Sequence, residues 1–194
     1  MTNEHLWTAS TVAHRKGLDY VIFLPSSDKK RDKNLAINEE HRSAMVPLAI
    51  NYNWKILVDT YVNSTSPGKN YSYDTMVHFK AFLPQAELFF IMVADLSVDI
   101  DYGKWMMDEQ LISCNQFIVM AQDNVNMLGI IAKSPLLRNY DDGRFQLLDK
   151  GLTMEISSTY IREEFSRGGE PRYFLPASCY HYIKAYQLYQ EEVR

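Results

Sequence analysis

Apolar and polar positions along this chain fall into blocks, and the blocks change period in a regular way. Over residues 4–16, Leu6, Ala9, Val12 and Ala13 recur at helical spacing, which predicts an amphipathic helix stopped by Gly17. Residues 18–25 (LDYVIFLP) then form an apolar run closed by proline, the habit of a strand buried on both faces of a parallel sheet. Residues 37–50 predict a second helix that carries Pro47, a residue able to kink it. Residues 54–60 (WKILVDT) predict a second strand. After a loop rich in Asn, Ser, Pro and Gly (63–70), a helix is expected near 73–82.

The strongest strand pattern is ELFFIMVAD, residues 87–95. A helix over 103–113 and a strand over 116–122 (QFIVMAQ) follow. Residues 123–151 read as irregular, 152–156 (LTMEI) as a fifth strand, then a helix opening at ISSTYIR and a last helix from about 176 to 190. Near-complete alternation of strand and helix predicts an α/β fold with a mostly parallel sheet and helices on both faces. No repeat, low-complexity tract or long linker interrupts it. Residues 1–194 are therefore expected to form a single domain, with a C-terminal helical part at about 157–190. The series begins on a helix, whereas doubly wound folds place their first strand at the centre, beside the ligand.

Composition narrows the classes. A hydrophobic share of 46% supports an ordinary core, and a net charge of -4 argues against the broad basic surface that nucleic acids need. Cys114 and Cys179, far apart and outside any CxxC pair, point to a reducing compartment and exclude a disulfide frame or zinc site; a cytoplasmic protein is expected. No apolar run approaches the roughly 18 residues of a membrane span, so no membrane partner is expected. Residues 26–33 (SSDKKRDK) form a cationic island directly after the first expected strand, where α/β ligands bind.

The chemistry-bearing segments each have two readings. In ISSTYIR, Ser157, Ser158 and Thr159 can simply cap a helix, or they can offer hydroxyls and backbone N–H groups to a phosphate. Arg162, four residues beyond Ser158, shares that face of the first turn. In TNEHL, Thr2 and His5 stand at a helix lip, where a histidine is a cap neighbour or a phosphate donor. Lys29 and Lys30 are solvated loop charges or anion contacts. Tyr73 and Thr75 lie beside a helix start, Asp95 ends the strongest strand, and Trp105 is a core residue or a stacking platform. No G-x-S-x-G, H-E-x-x-H, G-x-x-x-x-G-K-[ST] or G-x-G-x-x-G is present.

Taken together these segments resemble the nicotinate/nicotinamide mononucleotide adenylyltransferase family of the nucleotidylyltransferase superfamily. LDYVIFLPSSDKK looks like its second strand and basic loop, and EEHRSAMVPLAI is similar to its E-x-R-x-x-M helix. NYSYDTM is similar to its S-Y-T-x-x-T-L segment, and ELFFIMVADL followed by KW to its strand ending in G-x-D and the tryptophan after it. The most specific matches are ISSTYIR, to ISST-x-I-R, and GGEPRYFLPASCYHYIKAYQLY, to the closing Y-L-V-P…Y-I…L-Y. Thr2 and His5 match the end of G-G-x-F-x-P…[HT]-x-x-H, while the strand and glycine turn of that motif do not occur in this sequence.

The resemblance implies a Rossmann-like nucleotidylyltransferase fold lacking its first strand, with two strand edges losing a partner. It implies adenylyl transfer from ATP, with Mg²⁺, to nicotinate or nicotinamide mononucleotide in NAD biosynthesis. His5 and Thr2 would be catalytic; Ser157, Ser158, Thr159, Arg162, Lys29 and Lys30 would hold ATP phosphates; Tyr73, Thr75, Asp95 and Trp105 would shape the mononucleotide side. No metal-ligating residue is expected in the chain, and a second copy of it is a candidate partner. Departures from the pattern are Val93 in place of a glycine, Glu4 before His5, and Gln122 near the usual arginine. With the absent strand, these make the chain as written a poor enzyme or a non-catalytic nucleotide binder on the same scaffold. Either the chain starts at an internal methionine, or it is a short relative with altered activity.

Overall fold

Helix α1 (Asn3–Lys16) forms where the apolar stripe places it. Thr2 is its extended N-cap, His14, Arg15 and Lys16 put positive charge at its carboxyl end, and Gly17 closes it at φ 64, a left-handed position that glycine adopts without a Cβ clash. The computed structural model describes residues 1–25, 37–51, 53–61, 71–94, 99, 107–121, 126–148 and 156–190. They fall into two compact units, one of residues 1–68 and 154–194, the other of residues 69–153.

In the first unit, strand β1 (Val21–Phe23) pairs in parallel with β2 (Ile56–Val58), Val21 opposite Ile56. Between them runs α2 (Glu39–Ile50), capped by the Asn38 carboxamide and continuing through Pro47. Helices α7 (Ser158–Ser166) and α8 (Ala177–Ala185) complete the unit, joined by a 3₁₀ turn at Arg172–Phe174. Their apolar faces meet Met45 of α2 in one core of Ile156, Ile161, Phe165, Cys179 and Ile183. Two side chains fasten α8 to α2: Ser178 Oγ donates to the Leu48 carbonyl at 2.7 Å and Cys179 Sγ to the Met45 carbonyl at 3.3 Å.

The second unit holds three parallel strands in the order β3 (Phe89–Val93), β4 (Gln116–Met120), β5 (Phe145–Leu148). Helix α3 (Ser72–Phe82) precedes β3 and α4 (Asp108–Cys114) precedes β4; α5 (Met127–Lys133) and α6 (Pro135–Asn139) lie between β4 and β5. Central β4 buries Phe117, Ile118 and Val119 completely, as a strand covered on both faces must. Phe117 packs against Phe90 and Phe145 with ring centroids 5.9 and 5.3 Å away. Among the described residues every strand pair is parallel, and β1 and β3 each have one hydrogen-bonded neighbour.

Some sequence expectations change, and others fall outside the described residues. The stretch 123–151 is not wholly irregular: it contains α5, α6 and strand β5. A turn anchors that strand, because Arg144 grips both carboxylate oxygens of Asp142 at 2.8 and 2.6 Å and donates to the Ile112 carbonyl. The strand expected at 152–156 falls outside the described residues except for Ile156, which is not in a strand. The helix expected over 103–113 is described only as Asp108–Cys114, and 101–106 lie outside the described residues. The last helix stops at Ala185, short of 190, since Gln187 and Tyr189 take positive φ angles of 51° and 64° that no α-helix contains. Truncating Phe117 to alanine should cost about 3–5 kcal/mol of unfolding free energy, the usual price for emptying a fully buried aromatic site. Urea unfolding followed by circular dichroism would measure it, and a loss under about 1 kcal/mol would contradict this packing.

Candidate active site

The two segments most suited to anions, TNEHL and ISSTYIR, both belong to the first unit and both open a helix. In α7, Ile161 and Phe165 are buried in the core, so Ser158 and Arg162, one turn apart on another face, are free of it. Ser157 is the N-cap: its Oγ accepts from the Tyr160 N–H at 3.0 Å. Its hydroxyl hydrogen remains able to donate, so capping and phosphate contact are compatible uses of one side chain. Thr159 Oγ1 accepts from Arg162 Nη2 at 2.9 Å, which steadies the guanidinium over the first turn and leaves that hydroxyl's hydrogen available too. No acidic residue occupies this turn, where the helix dipole favours a negative charge.

At the start of α1, Thr2 and His5 occupy the N-cap and N3 positions of a capping box, histidine standing where Glu or Gln is usual. The Thr2 N–H donates to His5 Nδ1 at 3.4 Å, and Thr2 Oγ1 lies 2.6 Å from the same nitrogen. Thr2 is buried, whereas His5 is exposed. Protein atoms crowding the imidazole lower its pKa from 6.5 to about 4, with the nearby terminal ammonium acting in the same direction. The ring is therefore neutral at physiological pH.

The same ammonium feels Arg162, which puts the α1 lip and the first turn of α7 within electrostatic reach of each other. Asn3 Nδ2 also donates to the Tyr173 carbonyl at 2.9 Å, tying that lip to the 3₁₀ turn after α7. Tyr189 escaped the sequence reading. Burial raises its pKa while Arg162 and Arg42 oppose that rise, so its hydroxyl lies near both cations. The L-Y ending of the chain's aromatic block was the available sign. Its position depends on a backbone turn, at φ 64, that residue type does not announce.

Of the other expected site residues, Tyr73 and Thr75 lie in the second unit, on α3. Thr75 is buried and its hydroxyl donates to the Tyr71 carbonyl at 3.2 Å, a hydrogen bond within the helix. Lys29, Lys30, Asp95 and Trp105 lie outside the described residues. Among the described residues no group of three or more His, Cys, Asp or Glu side chains is placed to hold a metal ion. None of the described helices is long and apolar enough to cross a membrane.

Helix amino ends with a histidine and an arginine are suited to an anion, and comparison with known proteins gives the family. Residues 1–164 match the family described as cytidylyltransferase-like. A Clostridium tetani protein named "probable nicotinate-nucleotide adenylyltransferase" is 30% identical over 189 residues, covering 97% of this chain and 92% of that one. A Lactococcus lactis protein of the same name is 32% identical, covering 96% and 88%. The chain thus belongs to the nicotinate-nucleotide adenylyltransferase family of cytidylyltransferase-like proteins. Its fold is shared by Plasmodium falciparum nicotinic acid mononucleotide adenylyltransferase complexed with NaAD, with a TM-score of 0.76 at 20% identity, covering 97% of this chain and 91% of that one. The complex of that enzyme with APC gives 0.74 at 19%, with the same coverage.

The depressed His5 pKa has a consequence for stability. An unfolded histidine titrates near 6.5 and the folded ring at about 4, so between those values the unfolded chain holds more protons. His5's contribution is complete above pH 6.5 and declines as pH falls toward 4. Proton NMR of the imidazole should give a midpoint near 4, and H5N should flatten the matching decline in urea midpoint. A midpoint near 6.5 would refute the crowded environment.

Proposed function

We propose that the protein transfers the adenylyl group of ATP to nicotinate mononucleotide, forming a dinucleotide and pyrophosphate in NAD biosynthesis. The observation that carries this reading is the placing of His5 and Arg162, each at a helix amino end, in one compact unit. In that reaction a phosphate oxygen of the mononucleotide attacks the α-phosphorus of ATP. The bond from that phosphorus to the bridging oxygen breaks, and pyrophosphate leaves with the electron pair. No covalent enzyme intermediate is required, so position and electrostatics do the catalysis.

Arg162 supplies the charge, while the hydroxyls of Ser157, Ser158 and Thr159 and the backbone N–H groups of the α7 start supply direction. His5 donates to a phosphate oxygen as negative charge develops on the leaving group. Lys29 and Lys30 are assigned to the ATP phosphates, and Tyr73, Thr75, Asp95 and Trp105 to the mononucleotide, on the resemblance alone. Mg²⁺ belongs to the substrate, carried on the ATP phosphates, whose hard oxygens suit it. The acid is preferred to the amide because the relatives are named for the nicotinate form. The reading takes residues 1–194 as one catalytic domain in the cytoplasm, in keeping with two free cysteines, Cys114 and Cys179.

The test incubates the protein with Mg²⁺, ATP and either mononucleotide, and follows dinucleotide and pyrophosphate. Equal release of both products is expected, faster with the nicotinate form. Tight ATP binding by calorimetry without either product would return the chain to a non-catalytic nucleotide binder. In the active protein, H5A should lower kcat by about 10²–10³, as loss of an oriented donor does elsewhere. R162A should raise the KM for ATP by about 10-fold or more, since a hydrogen bond to a charged group contributes roughly 1.5–3 kcal/mol.

A further inference from the structure

We propose that Thr2 is a positioning residue: it locks His5 in the tautomer whose proton sits on Nε2, leaving that N–H as the donor for a nucleotide phosphate. The inference rests on the adenylyl-transfer reading for its ligand, but its geometry stands apart from it. A backbone N–H can only donate, so the Thr2 N–H at 3.4 Å from His5 Nδ1 requires a lone pair on that nitrogen. A neutral imidazole carries one proton, which must then be on Nε2. With Nδ1 accepting, the Thr2 hydroxyl 2.6 Å away is also the donor. Two donors from one residue converge on one ring nitrogen.

The opposite tautomer would point an Nδ1–H at the Thr2 N–H and present a lone pair on Nε2 to the oxygens of a phosphate. The Thr2 hydroxyl could turn to accept from that Nδ1–H, but the contact with the Thr2 N–H and the contact with the phosphate would both be repulsive. Thr2 is 2% exposed, so water does not compete for its hydroxyl, and the pair is set before any nucleotide arrives. Thr2 therefore acts through His5 and not on the phosphate, because its hydroxyl hydrogen is already committed. This separates the two residues that the motif joins: one touches substrate, the other sets the first one's proton.

The test uses the full chain labelled with ¹⁵N in its histidines. In the wild type, His5 Nδ1 should resonate as a pyridine-like nitrogen and Nε2 as a pyrrole-like one, and Mg²⁺–ATP should shift the Nε2 signal. The isosteric T2V keeps the backbone N–H and removes the hydroxyl. It should move the Nδ1 signal, which loses its shorter donor, and lower kcat by about tenfold, the lower end of what losing an orienting partner costs, with the KM for ATP little changed. T2S restores a hydroxyl and should recover most of the lost rate and the wild-type spectrum, which guards against a folding defect in T2V. A wild-type Nδ1–H tautomer, an Nε2 signal indifferent to ATP, or a T2V spectrum unchanged from wild type would each overturn the proposal. Wild-type protein that makes no dinucleotide, yet shows the Nε2–H tautomer and its response to ATP, would reject the reaction and leave the positioning role supported.

Discussion

The apolar contact between α7, α8 and α2 is the constraint on which the first unit depends. Ile161 and Phe165 occupy one side of α7 and Ile183 and Cys179 one side of α8, and all four are nearly inaccessible. Burial of this kind contributes on the order of 1.5–3 kcal/mol per large side chain, more than any hydrogen bond described at the helix ends. It therefore decides where those ends point. Met1 and Trp7 pack against the same core, so the start of α1 is referred to the same interior as α7. Polar chemistry at the lip is the consequence of apolar packing beneath it.

Such a lip divides its electrostatic work. A guanidinium such as that of Arg162 attracts an anion from a distance, with little demand on angle. His5 is neutral, and a neutral donor contributes through alignment. A full charge on His5 would have to overcome repulsion from the terminal ammonium, the effect that adds to burial in holding the imidazole pKa down. In the proposed reaction an uncharged His5 lets its N–H follow one oxygen while Arg162 answers for the overall charge.

How far this was legible in the sequence depends on the scale of the feature. FFIMV and QFIVM announced β3 and β4 because an unbroken apolar run has few other solutions. FQLL did not: it is short, contains a glutamine, and follows an Asp-Asp-Gly turn whose order comes from the Arg144–Asp142 pair. The end of α8 was misplaced because Gln187 and Tyr189 adopt positive φ without the glycine that usually marks it. At the site, ISSTYIR declared a capped helix start, and TNEHL set the N-cap and N3 spacing. Neither could tell which ring nitrogen of His5 holds the proton, a property of one hydrogen bond direction.

That limit explains why the two readings offered for these motifs, cap or phosphate site, never competed physically. A hydroxyl has one hydrogen and two lone pairs, so Ser157 can accept from the Tyr160 N–H and still donate outward. Thr159 does the same with Arg162 as its donor. Thr2 is the exception, since its hydrogen is directed at His5 and nothing remains for a ligand. Capping fixes each oxygen in space by using only its accepting side, and that is what preorganises the remaining hydrogens for an anion. Catalysis by position needs groups that do not reorganise when charge appears, and a helix start whose caps are already satisfied is a direct way to supply them.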